Sequence, residues 1–338
     1  MRGPIKVILF LALFQSPVAG AQVTSYGQYA DTLVTSSSTF AWAWIHLPDD
    51  FYLRPYKKYP LIFFFHGTGQ DGRNEAGLDS LIATTVNGTE GAGPPWLINQ
   101  GDSMNFYNYL TQDTDRPIII SPQFDNSASA TGENVDYMIT DLLYSKAPFA
   151  GRIDSNRISL TGLSAGGQGA FDEISGFDNN CRCFFGPVHK IASAVIMSAA
   201  LNVGGGEIGY YKNLIADSTY LWGMGDTLED PHGIATAQLI DSIHIFAGGV
   251  AAYLAPTFYL FPDTGSLYTA TMGHCCWLSE YEPAFTQVIN GHSLNVYQFM
   301  LLHSRVGLSP SPPHSDLYPA GIITVRKGHT IKLNTPPL

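Results

Sequence analysis

Continuous apolar runs, each followed by polar or turn-forming residues, recur along the chain. The clearest is Leu61–Phe65, which follows Tyr59-Pro60 and ends in His66-Gly67-Thr68-Gly69. An apolar run without polar alternation is typical of a central parallel strand, because such a strand is buried on both faces. Further runs of this kind are FAWAWIHL at 40–47, PIIIS at 117–121, RISLT at 157–161, ASAVIM at 192–197 and the segment 219–222. These runs predict the strands of one sheet.

Amphipathic segments lie between several of these runs. In 135–144 the apolar residues Val135, Met138, Ile139, Leu142 and Leu143 share one helical face, and 294–302 has the pattern of a final helix. Strands that alternate with helices predict an α/β fold, with a mostly parallel central sheet and helices on both faces. The segment 69–116, rich in Gly, Asn, Thr and Pro, is predicted to form loops over the carboxyl edge of the sheet. Ligands bind at that edge in open α/β sheets.

Composition narrows the class of protein. The chain has 338 residues, of which 45% are hydrophobic and 13% charged, so it has material for a large core and is not a disordered chain. A net charge of −11 argues against nucleic acid or an anionic membrane surface as a partner, because both require a basic face. No apolar stretch is long enough for a transmembrane helix, and we expect no membrane insertion. The sequence leaves the oligomeric state unknown.

The first residues have the organisation of a signal peptide. Arg2 and Lys6 form a basic start, residues 7–14 are a short apolar run, and Ala19-Gly20-Ala21 has the small-x-small pattern of a cleavage site. We expect residues 1–21 to be removed and the mature protein to be secreted or periplasmic. We expect residues 22–305 to form the main folded domain. Residues 306–338 form a Pro/Ser-rich linker and a short tail, with a hairpin at 321–333 as one interpretation of the tail.

Four cysteines occur in two clusters, Cys181 with Cys183 and Cys275 with Cys276. An oxidising compartment permits disulfides, and an even number of cysteines is compatible with one or two. A zinc site is the competing interpretation, but C-x-C and an adjacent C-C pair are not the usual spacing of structural zinc ligands. We expect no metal and one disulfide between the clusters; four buried free thiols are the alternative.

Gly162-Leu163-Ser164-Ala165-Gly166 matches the G-x-S-x-G nucleophile elbow. The motif gains weight from its position, because RISLT ends directly before it and a Gly-rich segment that is able to open a helix follows. Flanking glycines are needed since side chains there would clash with neighbouring backbone. We interpret Ser164 as a nucleophile at a helix N-terminus, where N–H groups favour developing negative charge.

A serine nucleophile requires a base and an orienting carboxylate. Where the serine lies in a G-x-S-x-G elbow between a strand and a helix, they follow it along the chain in the order acid, then histidine. Asp226 ends an apolar run, and it is preferred over Asp230 in the same loop. The later histidines are His232, His244, His274, His292 and His303. His274 lies between Gly273 and a large aromatic residue in a loop, and it is the preferred general base.

Two backbone donors must stabilise the tetrahedral oxyanion. One is the N–H of Ala165, the residue after the nucleophile, and the other comes from the loop after an early central strand. We assign the second donor to Thr68 and interpret His66 as a structural residue of the same loop. Trp277, near the base, and Trp96 are tentative substrate-binding residues that would stack on a sugar or aryl ring, with packing under loops as the alternative.

Four segments within residues 40–305 resemble a known group of enzymes. They are YPLIFFFHG at 59–67, SPQ at 121–123, IDSNRISLTGLSAGG at 153–167 and Gly273-His274. These segments are similar to the esterase branch of the α/β-hydrolase superfamily, which contains feruloyl and acetylxylan esterases, polyhydroxybutyrate depolymerases and predicted-peptidase relatives. The resemblance implies an α/β-hydrolase fold, Ser164, Asp226 and His274 as a catalytic triad, and an acyl-enzyme mechanism without a metal or organic cofactor.

Three functions are compatible with these residues. The leading hypothesis is a secreted serine esterase that acts on a small-molecule or polysaccharide-linked ester, including acyl groups on plant polysaccharide. The second is a serine peptidase of the same fold, since the same triad cleaves amides. The third is an inactive hydrolase scaffold that binds carbohydrate. A complete set of triad and oxyanion residues favours an enzyme.

Overall fold

The computed structural model describes residues 27–36, 40–83, 85–86, 89–90, 92–125, 131–178, 183–184, 186, 189–199, 219–226, 257–261, 280–289 and 291–306. Within these ranges, eight strands form one sheet. They are β1 (Gln28–Val34), β2 (Phe40–His46), β3 (Tyr59–Phe65), β4 (Ile118–Gln123), β5 (Ile153–Leu163), β6 (Ser193–Met197), β7 (Tyr220–Asp226) and β8 (Thr257–Phe261).

The strand order across the sheet is β1-β2-β4-β3-β5-β6-β7-β8. Strand β2 is antiparallel to both of its neighbours, and every other pair of adjacent strands is parallel. Because β3, β4, β5, β6, β7 and β8 run in the same direction, their carboxyl ends lie along one edge of the sheet. The six strands predicted from apolar runs are all present.

Helices cover both faces of the sheet. The α-helices are α1 (Asp79–Ile82), α2 (Pro94–Asn99), α3 (Gly132–Tyr144), α4 (Ala165–Ser175) and α5 (Val296–Leu302), and a 3-10 helix spans Glu75–Leu78. Side chains of β3 point alternately to two cores. Leu61, Phe63 and Phe65 pack with α3 and α4, whereas Ile62 and Phe64 pack with α2 and α5. The predicted α/β class, with helices on both faces of a mostly parallel sheet, is confirmed.

Local sequence accounts for the ends of these helices. Thr131 precedes α3 and its side chain accepts a hydrogen bond from Asn134 N–H, while α4 ends at Gly176 with a left-handed φ of 69°. Helix α5 begins with a capping box, in which the side chains of Asn295 and Gln298 each accept from the other residue's backbone N–H.

The predicted loop region 69–116 contains more regular structure than expected. It includes the 3-10 helix, α1 and α2. Asn74 caps the 3-10 helix, and α2 begins with Pro94-Pro95, where the missing N–H of proline costs nothing because the first N–H groups of a helix have no partner within it. Short two-stranded ribbons form at Thr85–Val86 with Thr89–Glu90, and at Phe106–Asn108 with Asp113–Asp115. Two more lie at Phe177–Asp178 with Cys183–Phe184, and at Gln287–Ile289 with His292–Leu294.

Several predictions fall outside the described residues. The signal peptide at 1–21 and almost all of the linker and tail at 306–338 are among them, so the predicted domain boundaries stay predictions. Among the helices that are described, none has the length and apolarity needed to cross a membrane.

Candidate active site

Ser164 lies at a sharp turn between β5 and α4. Its backbone has φ 53° and ψ −122°, a conformation that side-chain-bearing residues rarely adopt. The turn is held on both sides, because Ser164 N–H donates to Met197 O (2.9 Å) and Gln168 N–H donates to Ser164 O (3.1 Å). Strained backbone of this kind persists where the surrounding structure fixes it, and it is concentrated at functional sites. The predicted strand-turn-helix context of the serine is therefore present.

The glycines on either side of the turn are required by close packing. A β-carbon at Gly166 would overlap the carbonyl oxygens of Phe65 and His66, and one at Gly162 would overlap the carbonyl of Gly166. These neighbours are backbone atoms, which cannot rotate away. The motif therefore keeps glycine because β3 and the first turn of α4 approach each other closely.

The loop after β3 lies against the serine. A β-carbon placed on Gly67 would be 3.4 Å from Ser164 Cβ and would overlap the side chain of Leu163. Thr68, the next residue, is exposed, and Ala165 is half-buried at the first position of α4. This arrangement places both predicted oxyanion donors in segments that flank Ser164. Their role as donors stays a prediction.

His66 is a buried structural residue, as the sequence analysis proposed. Its Nε2 accepts a hydrogen bond from Phe124 N–H (3.0 Å), which places the ring proton on Nδ1, where it donates to Gly67 O (2.8 Å). Complete burial lowers the pKa of His66, so the ring is neutral at physiological pH. The imidazole thereby joins the ends of β3 and β4.

Gln123, the last residue of β4, fixes the continuation of the same loop. Its buried Nε2 lies 2.7 Å from Gln70 O, 2.7 Å from Gly77 O and 2.8 Å from Ser80 Oγ. A β-carbon at Gly72 would overlap the Gln123 side chain. Gln123 is part of the SPQ motif, but its role was not predictable from the sequence, because its partners lie 43 to 53 residues away in the chain.

The backbone of Asp226, the preferred acid, ends β7 at the carboxyl edge. The register pairs Leu163 with Met197 and Met197 with Met224, so Met224 is level with Leu163 two strands away. Two strand spacings amount to about 10 Å. Asp226 is two residues further along β7, at the height of the first turn of α4, and its side chain lies outside the described part of the chain.

The preferred base and its nearby tryptophan, His274 and Trp277, lie outside the described residues, between the end of β8 and Glu280. The described residues resume at Glu280, and Tyr281 lies beside β5, the strand that leads to the serine. Tyr281 Oη is 2.8 Å from Oγ1 of Thr161, three residues before Ser164. Tyr281 is fully buried and also contacts the Phe64 ring edge-on. Tyr281, seven residues after His274 in the chain, is thus held beside the serine strand.

Two of the competing histidines are described. His303 stacks on Tyr220 with ring centroids 3.6 Å apart, at the amino end of β7, which is the sheet edge opposite Ser164. His292 stacks on Tyr109 at 3.9 Å. His303 is therefore a packing residue in this structure. Asp230, His232 and His244 lie outside the described residues.

The remaining predicted residues are untested. Trp96 is half-buried on α2 and packs against the core that contains Phe64, which is the packing alternative; its substrate role stays a prediction. Cys183 belongs to a short ribbon, and the other three cysteines lie outside the described residues, so the disulfide also stays a prediction.

A mostly parallel sheet with a strained serine at the turn from a strand into a helix defines the α/β-hydrolase fold. In agreement, the chain is similar to a solved thermostable esterase, with a TM-score of 0.51 and 18% identity over 82% of this chain and 63% of that one. The chain thus spans about two thirds of the length of that esterase. The chain has the α/β-hydrolase fold, and the resemblance noted in the sequence is confirmed at that level.

Two further solved structures are similar to the chain with lower TM-scores. The dipeptidyl peptidase 4 of Porphyromonas gingivalis has a TM-score of 0.42 and 11% identity over 70% of this chain and 32% of that one. A ferulic acid esterase has a TM-score of 0.38 and 14% identity over 69% of this chain and 89% of that one. No family model matches the chain, and no curated protein matches it.

Proposed function

We propose that this protein is a secreted serine esterase that hydrolyses carboxylic esters through an acyl-enzyme. The observation that carries the proposal is the conformation of Ser164, a strained elbow at the N-terminus of α4. A positive φ at a serine costs free energy, and a serine in an ordinary turn does not need it. We attribute this strained conformation to presentation of the hydroxyl. The adjoining loop of Gly67 and the eleven-residue helix supply the surroundings that an oxyanion requires.

In the proposed reaction, Ser164 Oγ attacks the carbonyl carbon of the ester while His274 accepts the hydroxyl proton. Asp226 orients the imidazole and stabilises its positive charge. The N–H groups of Ala165 and Thr68 donate to the oxyanion. The C–O bond of the tetrahedral intermediate then breaks, and the alcohol leaves with the proton from His274. Water, deprotonated by His274, attacks the acyl carbon. The bond between that carbon and Ser164 Oγ then breaks, Ser164 Oγ takes the proton from His274, and the acid leaves.

The chain order supports this assignment. Asp226 ends β7 and His274 comes after β8 in the chain, so both follow the serine, and the carboxyl ends of β7 and β8 lie at the serine's edge. The mechanism uses side chains, backbone N–H groups and water. As the substrate we propose an ester on a plant polysaccharide or a similar small-acyl ester, and the N-terminal segment supports export.

The test is Ser164→Ala on the purified protein, with p-nitrophenyl acetate as substrate. We expect kcat/KM to fall by at least about 10³-fold with an unchanged circular dichroism spectrum. Wild-type protein, but not the variant, should be labelled by a fluorophosphonate. Activity of the variant within tenfold of wild type would falsify the assignment. Matched ester and anilide substrates separate an esterase from a peptidase, and wild-type protein that hydrolyses neither would be an inactive scaffold.

A further inference from the structure

A cavity of about 410 Å³ opens at the carboxyl end of β4, on the side away from β3. Its walls come from the end of β1, the start of β2, the loop after β3 and the N-terminal turn of α3. The residues that line it are Thr35, Phe40, Ala41, Trp42, Gly72, Arg73, Gln123, Phe124, Asp125 and Asn134. A volume of this size is within the range of small-molecule sites.

The cavity lies near the proposed nucleophile. The register pairs Phe63 with both Ile120 and Leu160, so Phe124, the residue directly after β4, is level with Ser164 of the elbow. Strand β3 is the one strand between them, and two strand spacings amount to about 10 Å. Because both positions are at the same edge, one extended ligand is able to reach both.

The lining combines an aromatic wall with a charge-balanced polar wall. Phe40 and Trp42 are two residues apart on β2, so their side chains extend to the same side of that strand. Phe40 is 66% exposed and Trp42 is half-buried. Opposite them, Arg73 Nη2 lies 3.3 Å from Asp125 Oδ2, and the backbone beneath is fixed by the hydrogen bond from Gly72 N–H to Phe124 O (2.9 Å).

This combination selects one class of ligand. A hydrocarbon chain would have to desolvate the Arg73–Asp125 pair without replacing its hydrogen bonds, which is unfavourable. An anion would gain little, because the Arg73 side chain is 77% exposed to solvent and its guanidinium lies beside the Asp125 carboxylate, which repels an anion. An uncharged sugar ring has an apolar face for the aromatic wall and hydroxyl groups that both donate and accept, as the ion pair requires.

We infer that the cavity beside β4 is a carbohydrate subsite, which binds a sugar unit of a polysaccharide whose ester-bearing neighbour is presented to Ser164. The inference rests on the proposed esterase function and specifies its substrate. The subsite contributes to the binding of the polymer and is too far from Ser164 to be occupied by a small aryl ester.

The experiment compares two substrates, acetylated xylan and p-nitrophenyl acetate, in Phe40→Ala and Arg73→Ala. We expect the ratio of kcat/KM for the polymer to kcat/KM for the aryl ester to fall about tenfold in each variant, through KM of the polymer. Tyr56→Ala is the matched control, because Tyr56 is 96% exposed in the loop between β2 and β3, at the opposite edge. Its ratio should stay at the wild-type value.

An unchanged ratio in Phe40→Ala and Arg73→Ala would overturn the subsite, and so would an equal loss on both substrates. A direct binding measurement separates this result from failure of the proposed function. On native gels cast with deacetylated xylan, the Ser164→Ala protein should migrate more slowly than on gels without xylan. The double variant, Ser164→Ala with Phe40→Ala, should migrate equally on both gels. Retardation that is equal in both proteins, or absent from both, contradicts the subsite whether or not the protein hydrolyses esters.

Discussion

Replacement of Gln123 by leucine tests whether the loop after β3 is held in place for catalysis. Leucine has a similar volume but neither donates nor accepts. In the native structure the two Nε2 protons of Gln123 are shared among Gln70 O, Gly77 O and Ser80 Oγ. The substitution removes these hydrogen bonds without opening a large cavity.

The cost follows from the hydrogen bonds that are lost. Gln70 O still accepts from Ser80 Oγ at 2.9 Å, and Gly77 O still accepts from Asp79 N–H, so both carbonyls keep a partner. The hydrogen bonds of the two Nε2 protons of Gln123 are lost, and each hydrogen bond contributes about 0.5–1.5 kcal/mol. We therefore expect Gln123→Leu to lower the free energy of unfolding by about 2 kcal/mol, which corresponds to a fall in Tm of roughly 4–8 °C.

The effect on catalysis should exceed what this loss of stability explains. The loop from Gly67 to Ser80 carries Thr68, the proposed oxyanion donor, and complete loss of one donor lowers kcat about 10²–10³-fold. Because His66 still holds the beginning of the loop, we expect a smaller decrease in kcat, about tenfold, with KM for p-nitrophenyl acetate within about twofold of wild type.

The assay measures kcat and KM at 25 °C and Tm by circular dichroism for Gln123→Leu and for Val135→Ala. Val135 lies on the buried face of α3, so its truncation gives a comparable loss of stability without touching the loop. A normal kcat in Gln123→Leu, or an equal decrease of kcat in Val135→Ala, would refute the positioning role.

Three further predictions concern the remainder of the fold. Gly166→Ala should not fold, measured by circular dichroism, since its β-carbon would overlap the Phe65 carbonyl. Asp115→Asn or Arg157→Met alone should cost about 3–5 kcal/mol in urea unfolding, and the double variant less, because the bidentate pair is largely buried. Burial lowers the pKa of His303 to about 3, so the free energy of unfolding should fall as pH decreases from about 6.5 to about 3, and His303→Phe should flatten this dependence.

Sequence patterns predicted the strands with continuous apolar runs and missed β1 and β8. Leu61–Phe65 has no polar interruption, and the corresponding strand β3 is buried throughout. Strand β1 was missed because QYADTLV mixes polar and apolar residues, as an edge strand paired on one side permits. Strand β8 was missed because TFYLF is too short to distinguish from the apolar residues around it.

The residues of the candidate site also differ in how far the sequence predicts them. Ser164 was predictable because the elbow is a local feature, in which glycine spacing reports the close approach of β3 and α4. The hydrogen bond from Phe124 N–H to His66 and the contact between Thr161 and Tyr281 join residues 58 and 120 positions apart. Such pairs depend on the strand order, which no local pattern of the sequence contains.

The far end of β5 has a practical consequence for attaching the protein to a solid support. Arg305 N–H donates to Asn156 O (3.1 Å), so residue 306 leaves the domain beside the amino-terminal half of β5. Asn156 and Ser164 are eight residues apart along an extended strand, or about 26 Å. A tether joined to the chain directly after residue 306 therefore starts at the amino end of β5, the sheet edge opposite Ser164. Beads coupled there should leave the approach to the serine open.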